Sequence, residues 1–123
     1  MTTYVDGTLV KELQAPNLAS ASTVNLDTCG GNYVWITGTT TITAITLSQG
    51  AVRDVYFSGV LTLTQGTNLQ LPGAANIITA VGDTARFRGE SGGVVRCIGY
   101  SVAANPPGGA PVVLPPFIAL TIV

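Results

Sequence analysis

The chain has 123 residues, of which 46% are hydrophobic and 9% charged, and its net charge is −1. That length suits one domain with its own hydrophobic core, whereas ordinary soluble domains are about a quarter charged. A surface so poor in charge must consist of Thr, Ser, Asn, Gln and backbone, which favours burial against further copies or a partner. Nucleic acid is excluded as a partner because the one cationic group, Arg86, Arg88 and Arg96, has Asp83 and Glu90 beside it. That leaves no positive face for phosphates. A membrane span is excluded because the longest apolar stretch, residues 110–123, falls short of about 20 residues and carries Pro111, Pro115 and Pro116. Met1-Thr2-Thr3-Tyr4-Val5-Asp6 lacks the basic and apolar regions of a signal peptide, so synthesis in the cytoplasm is expected.

Residues 1–20 read as an N-terminal arm. Leu9 to Leu13 offers at most one helical turn before Pro16, which would end it. An arm of this kind takes its order from a neighbour.

From residue 21 to 101 the sequence predicts strand after strand, with Gly, Pro, Asn and Asp at the breaks. The expected strands are residues 23–26, 33–37, 40–47, 52–57, 60–64, 69–71, 76–81, 84–88 and 94–100. Turns recur about every ten residues, the rhythm of a sandwich or barrel. The expected fold is all-β: an antiparallel sandwich or jelly-roll-like core of about eight to nine short strands, with extended arms at both ends. Alternation predicts half-buried strands in which Leu61 and Leu63 oppose Thr62 and Thr64, Val55 and Phe57 oppose Asp54 and Tyr56, and Ala85 and Phe87 oppose Arg86 and Arg88. Tyr33-Val34-Trp35-Ile36 and much of residues 77–81 are apolar on both faces. Such strands are expected to be covered on both sides, by a second sheet or by another subunit.

Residues 102–123 change in character. Ala103-Ala104-Asn105-Pro106-Pro107-Gly108-Gly109 reads as a linker, followed by a segment free of charge. This segment either packs on its own domain or adds as a strand to a neighbour, the reach of the linker favouring the neighbour. The candidate partner-contact residues are Trp35, Val112, Val113, Leu114, Phe117, Ile118, Leu120 and Ile122.

No residue pattern in the sequence points to catalysis. The chain has no histidine, which removes His-dependent triads and His-containing zinc sites. The six carboxylates, Asp6, Glu12, Asp27, Asp54, Asp83 and Glu90, show no paired arrangement. Asp83, in a Gly-Asp turn, is expected to bond to backbone amides. Phosphate-binding and nucleophile motifs are missing, so no enzyme, cofactor or metal is expected. Cys29 and Cys97 read as two thiols in preference to a bridge. Tyr4, Tyr33, Trp35, Tyr56 and Tyr100 are the residues from which a sugar-stacking platform would have to be built, although the mid-strand place of Trp35 points to core or interface packing.

Residues 22–100 carry an ordered set of phrases: Ala21-Ser22-Thr23-Val24-Asn25-Leu26, Ile36-Thr37-Gly38-Thr39-Thr40-Thr41-Ile42, Val60-Leu61-Thr62-Leu63-Thr64, Leu71-Pro72-Gly73-Ala74-Ala75-Asn76-Ile77, Gly82-Asp83-Thr84-Ala85 and a closing 95–100. This order resembles a β-module of tailed-bacteriophage virion proteins, found in head-decoration (cement) proteins, head fibres and tail-fibre domains. The resemblance implies a trimeric or otherwise multimeric part of the particle surface, with no catalytic residues to carry over. The short flanks favour a decoration protein that sits on the capsid surface and clamps neighbouring major capsid protein subunits. A fibre module for host attachment and an independent glycan-binding sandwich are the alternatives.

Overall fold

The computed structural model describes residues 3–5, 8–10 and 12–103. Twelve strands run in chain order: β1 (Thr3–Val5), β2 (Thr8–Val10), β3 (Leu18–Ala19), β4 (Thr23–Asn25), β5 (Tyr33–Thr37), β6 (Ala44–Thr46), β7 (Val52–Phe57), β8 (Thr62–Leu63), β9 (Leu69–Gln70), β10 (Ile77–Ile78), β11 (Thr84–Gly89) and β12 (Val95–Ser101). Only two 3-10 turns, Pro72–Ala74 and Ser91–Gly93, interrupt them, so the described chain is all-β. β1 and β2 form a separate antiparallel pair.

The main layer is a six-stranded sheet in the order β3-β5-β7-β11-β12-β9. Facing it, β4 pairs with β6 and β8 with β10. Ile42 joins these two ladders, donating its N–H to the Thr62 carbonyl and accepting from the Thr64 N–H through its own carbonyl. One buried cluster lies between the layers: Val34, Ile36, Val55, Phe57, Phe87 and Val95 from the sheet meet Val24, Leu26, Ile42, Ile45, Leu61 and Leu63 from the ladders. The alternation in the sequence sets this arrangement, because side chains two apart on a strand share a face.

Sandwich architecture matches the expectation, but the strands are not purely antiparallel. β3 with β5, β5 with β7, β12 with β9 and β4 with β6 all run parallel. After β5 the chain crosses to the opposite layer, lays down β6, and returns as β7 in the direction of β5. Such a crossover produces parallel neighbours where a hairpin cannot.

The predicted arm also needs correcting. Ala15 is buried in the core, its N–H donates to the Tyr33 carbonyl, and the Ser20 N–H donates to that of Thr37. Residues 12–20 therefore line the edge of the main sheet, with no helical turn. Residues 8–10 are strand, contrary to the helical reading.

Two backbone features shape the sheet. Between Arg86 and Phe87 the pairing with β12 slips, so that Ile98 is the extra residue of a β-bulge. The slip places Tyr100 opposite Ala85 and aims it at the inner side, where its ring stacks with Phe57 at 6.5 Å. At the far end of β11, a Cβ on Gly89 would strike the carbonyl oxygens of Ser48 and Leu47. The Gly50 N–H donates to the Gly89 carbonyl, and the Gly89 N–H to that of Ala51. Gly89→Ala is expected to lower stability by about 2 kcal/mol through overpacking, read as a lower urea midpoint at unchanged slope.

Candidate functional site

The outer face of the main sheet is built by register. Trp35, Tyr56, Thr84 and Ser101 form one row across β5, β7, β11 and β12, and Tyr33, Asp54, Arg86 and Gly99 form the next. Because these positions alternate with Val34, Ile36, Val55, Ala85 and Phe87 on the core side, their side chains point away from the core. Trp35 and Tyr56 lie 4.9 Å apart between ring centroids at 30°, and Tyr33 meets Tyr56 edge-on at 6.2 Å. All three rings are half-buried, while Arg86, Arg88 and Arg96 are exposed.

Charge on this face is paired. Arg86 donates to both carboxylate oxygens of Asp54, at 2.7 and 3.1 Å, and this hydrogen-bonded partner raises the arginine's pKa. Glu90 accepts from Arg96 and Arg88, which together hold its carboxyl below the usual range. Exposed pairs of this kind add little stability, but they fix where the polar atoms stand. Beside Tyr56 and the Asp54–Arg86 pair, over β11 and β12, lies an open depression of about 320 Å³, lined also by Thr84, Gly99, Tyr100 and Ser101. Arg86 is also in the wall of a second hollow of about 380 Å³, shared with Asn32, Gly50 and Arg53.

A different surface occupies one end of the sandwich. Here Thr79 is buried, donating its hydroxyl to the Gly59 carbonyl and accepting from the Leu61 N–H. Asp83 is also buried, and its carboxylate accepts from the Tyr100 hydroxyl at 2.6 Å, the Ala103 N–H at 2.9 Å and the Ala80 N–H at 3.0 Å. Burial pushes the Asp83 carboxyl up, but the three hydrogen bonds outweigh it, and the pKa is lowered overall. Burial, reinforced by the Asp83 charge, raises that of the Tyr100 phenol.

Around this polar knot the segments carry aliphatic side chains that nothing described covers: Val60, Ile78, Val81 and Val102 are 54, 71, 62 and 78% exposed. Ile78 pairs with Thr62, so Val60, two residues before Thr62, is its diagonal neighbour on the same face. Val81 and Val102 flank the Asp83 contacts.

The structure distributes the sequence candidates unevenly. Trp35 is outside the core, beside Tyr56. Val112, Val113, Leu114, Phe117, Ile118, Leu120 and Ile122 lie outside the described residues. In residues 77–81 the chain itself covers one side only: Thr79 is buried while Ile78 and Val81 stand exposed. Asp54 finds its partner in Arg86, across the sheet, whereas the neighbouring Arg53 donates to the backbone carbonyls of Leu26 and Val52. Asp27 accepts from the Ser48 hydroxyl and N–H. Among the described residues no three His, Cys, Asp or Glu side chains gather as a metal site, and Cys29 and Cys97 are free thiols. Sequence reasoning missed the pairing of Trp35 with Tyr56, whose signal was the shared alternation phase of two aromatic strands.

No protein-family model, curated protein or solved structure matches the chain.

Proposed function

We propose that the chain is a structural protein of a tailed-bacteriophage particle, a decoration protein that docks as a homotrimer on the outer capsid surface and clamps adjacent major capsid protein subunits. The observation that carries this reading is the end of the sandwich where Val60, Ile78, Val81 and Val102 stand exposed on a chain only 9% charged. Large exposed aliphatics clustered on a low-charge surface mark a contact site. The ordered phrases from Ala21 to Tyr100 support the virion setting, and the absence of histidine suits a role without catalysis.

The energetics suit a clamp. Apolar surface removed from water contributes roughly 25 cal/mol per Å², so four aliphatic side chains supply several kcal/mol, part of which is lost to the entropy of association. Trimerisation and repetition around a shell then turn a modest contact into a durable one.

The test is co-sedimentation of the purified protein with capsids stripped of it. Wild-type protein is expected to pellet with the shells. Ile78→Asp combined with Val81→Asp is expected to reduce binding by tenfold or more, about 1.4 kcal/mol, with the circular dichroism spectrum unchanged. Undiminished binding by that double variant would remove the apolar end from the contact.

A further inference from the structure

We infer that the outer sheet face around Trp35 and Tyr56 is a saccharide-binding site, taking a neutral hexopyranose oligosaccharide. A pyranose ring has one face of C–H bonds and a rim of hydroxyl pairs. The first stacks on the electron-rich face of an aromatic ring, and the second hydrogen-bonds to carboxylate and guanidinium groups. Both are present here in adjoining rows. Trp35 and Tyr56, 4.9 Å apart and tilted by only 30°, stack on one another, and Tyr33 meets Tyr56 edge-on, so Tyr56 stands braced at the wall of the depression that it lines.

Two residues along the strands, about 7 Å at the usual rise, Asp54 and Arg86 are locked together by two hydrogen bonds. They are thereby held in place to meet hydroxyls at the rim of a stacked ring. The depression beside them adds Thr84 and Ser101, and Gly99, which has no side chain, helps leave it open. Neutral sugars fit better than anions, because Arg86 is already paired with Asp54, and Arg88 and Arg96 share Glu90. A nucleic-acid strand would require unpaired cations along a track. The depression borders the apolar end, Thr84 following Asp83 and Ser101 preceding Val102, but it uses different side chains from Val60, Ile78 and Val81, so each contact can fail without the other.

Trp35 is the chain's single tryptophan, which makes its emission a direct report on the site. The full chain is titrated with maltohexaose, cellohexaose and N-acetylchitohexaose, each to about 10 mM, enough to saturate a millimolar site. At least one is expected to give a saturable change in Trp35 emission that persists in high salt. Calorimetry is then expected to show about tenfold weaker binding for Tyr56→Ala, the size of one stacking contact. Arg86→Gln is expected to weaken binding severalfold and Trp35→Phe to retain most of it, while Ile78→Asp/Val81→Asp leaves it unchanged.

Absence of saturation with all three sugars overturns the inference. So does equal binding by Tyr56→Ala and Arg86→Gln. An emission that changes on dilution without sugar would also overturn it, since it would make this face a contact between copies.

Discussion

Phe87→Ala is expected to cost about 3–5 kcal/mol of folding stability, the range for removing a fully buried aromatic ring. Phe87 is completely buried on β11, the strand that joins β7 to β12, and it stands in register with Arg53 on one side and Cys97 on the other. Its neighbours belong to two layers of short strands, and a layer cannot collapse into the space without breaking its ladder. The cavity therefore stays largely open. A domain of this size has about 5–15 kcal/mol in total, so the variant sits near the edge of folding. Urea unfolding followed by circular dichroism measures the loss as a fall in midpoint at constant slope. Phe87→Leu, closer in volume, is expected to lose about 1 kcal/mol. A loss below about 1 kcal/mol for the alanine variant would show that the two layers do not close on this ring.

Asp83→Ala is expected to cost about 3 kcal/mol, because it removes a buried, charged acceptor on which three part-buried hydrogen bonds converge. The Tyr100 hydroxyl and the Ala80 and Ala103 N–H groups all converge on this carboxylate. Tyr100→Phe removes one of the three and is expected to cost about 1.5 kcal/mol, as for a hydrogen bond to a charged group. The same carboxylate makes the fold sensitive to acid. Its pKa in the folded chain is lowered, and in the unfolded chain it returns to about 3.9. The contribution is therefore fully present above that unfolded value, and drains away as pH falls through the lower folded value. Stability measured from pH 7 down to about pH 2 is expected to fall less steeply in Asp83→Ala than in the wild type. Parallel acid profiles for the two proteins would refute the role given to this group.

Local rules carried much of the fold. The strands at residues 33–37 and 52–57 match the structure at both ends, since each is a strong β-former run stopped by turn residues. The strict alternation of Ala85, Arg86, Phe87 and Arg88 reproduces the observed burial. The Gly82-Asp83 turn does bind backbone amides, as short acidic side chains in turns do.

What failed depended on distant partners. The predicted strand at residues 40–47 shrinks to Ala44–Thr46, because Thr43 and Ala44 donate to the Ser22 carbonyl while Ile42 donates to that of Thr62. One stretch of chain thus serves two neighbours, and no alternation pattern reveals it. Ala15 and Leu18 carry too little apolar pattern to announce that residues 12–20 join the sheet. The platform was half legible: its aromatic residues were visible in the sequence, but Asp54 and Arg86 meet across 32 positions through the pairing of β7 with β11. The bulge at Ile98, which turns Tyr100 towards Asp83, leaves no compositional mark.

The strand order has a consequence for how the molecule is made. β7 is flanked by β5 and β11, and β9 can be held only once β12 exists. During vectorial synthesis the nascent chain carries β7 with one edge bare until residue 89 has emerged, and β9 has no place in the sheet until residues 95–96 follow. Closure therefore comes late, the signature of slow, non-local assembly. A partly translated chain presents an unpaired sheet edge to every other such chain on the same message.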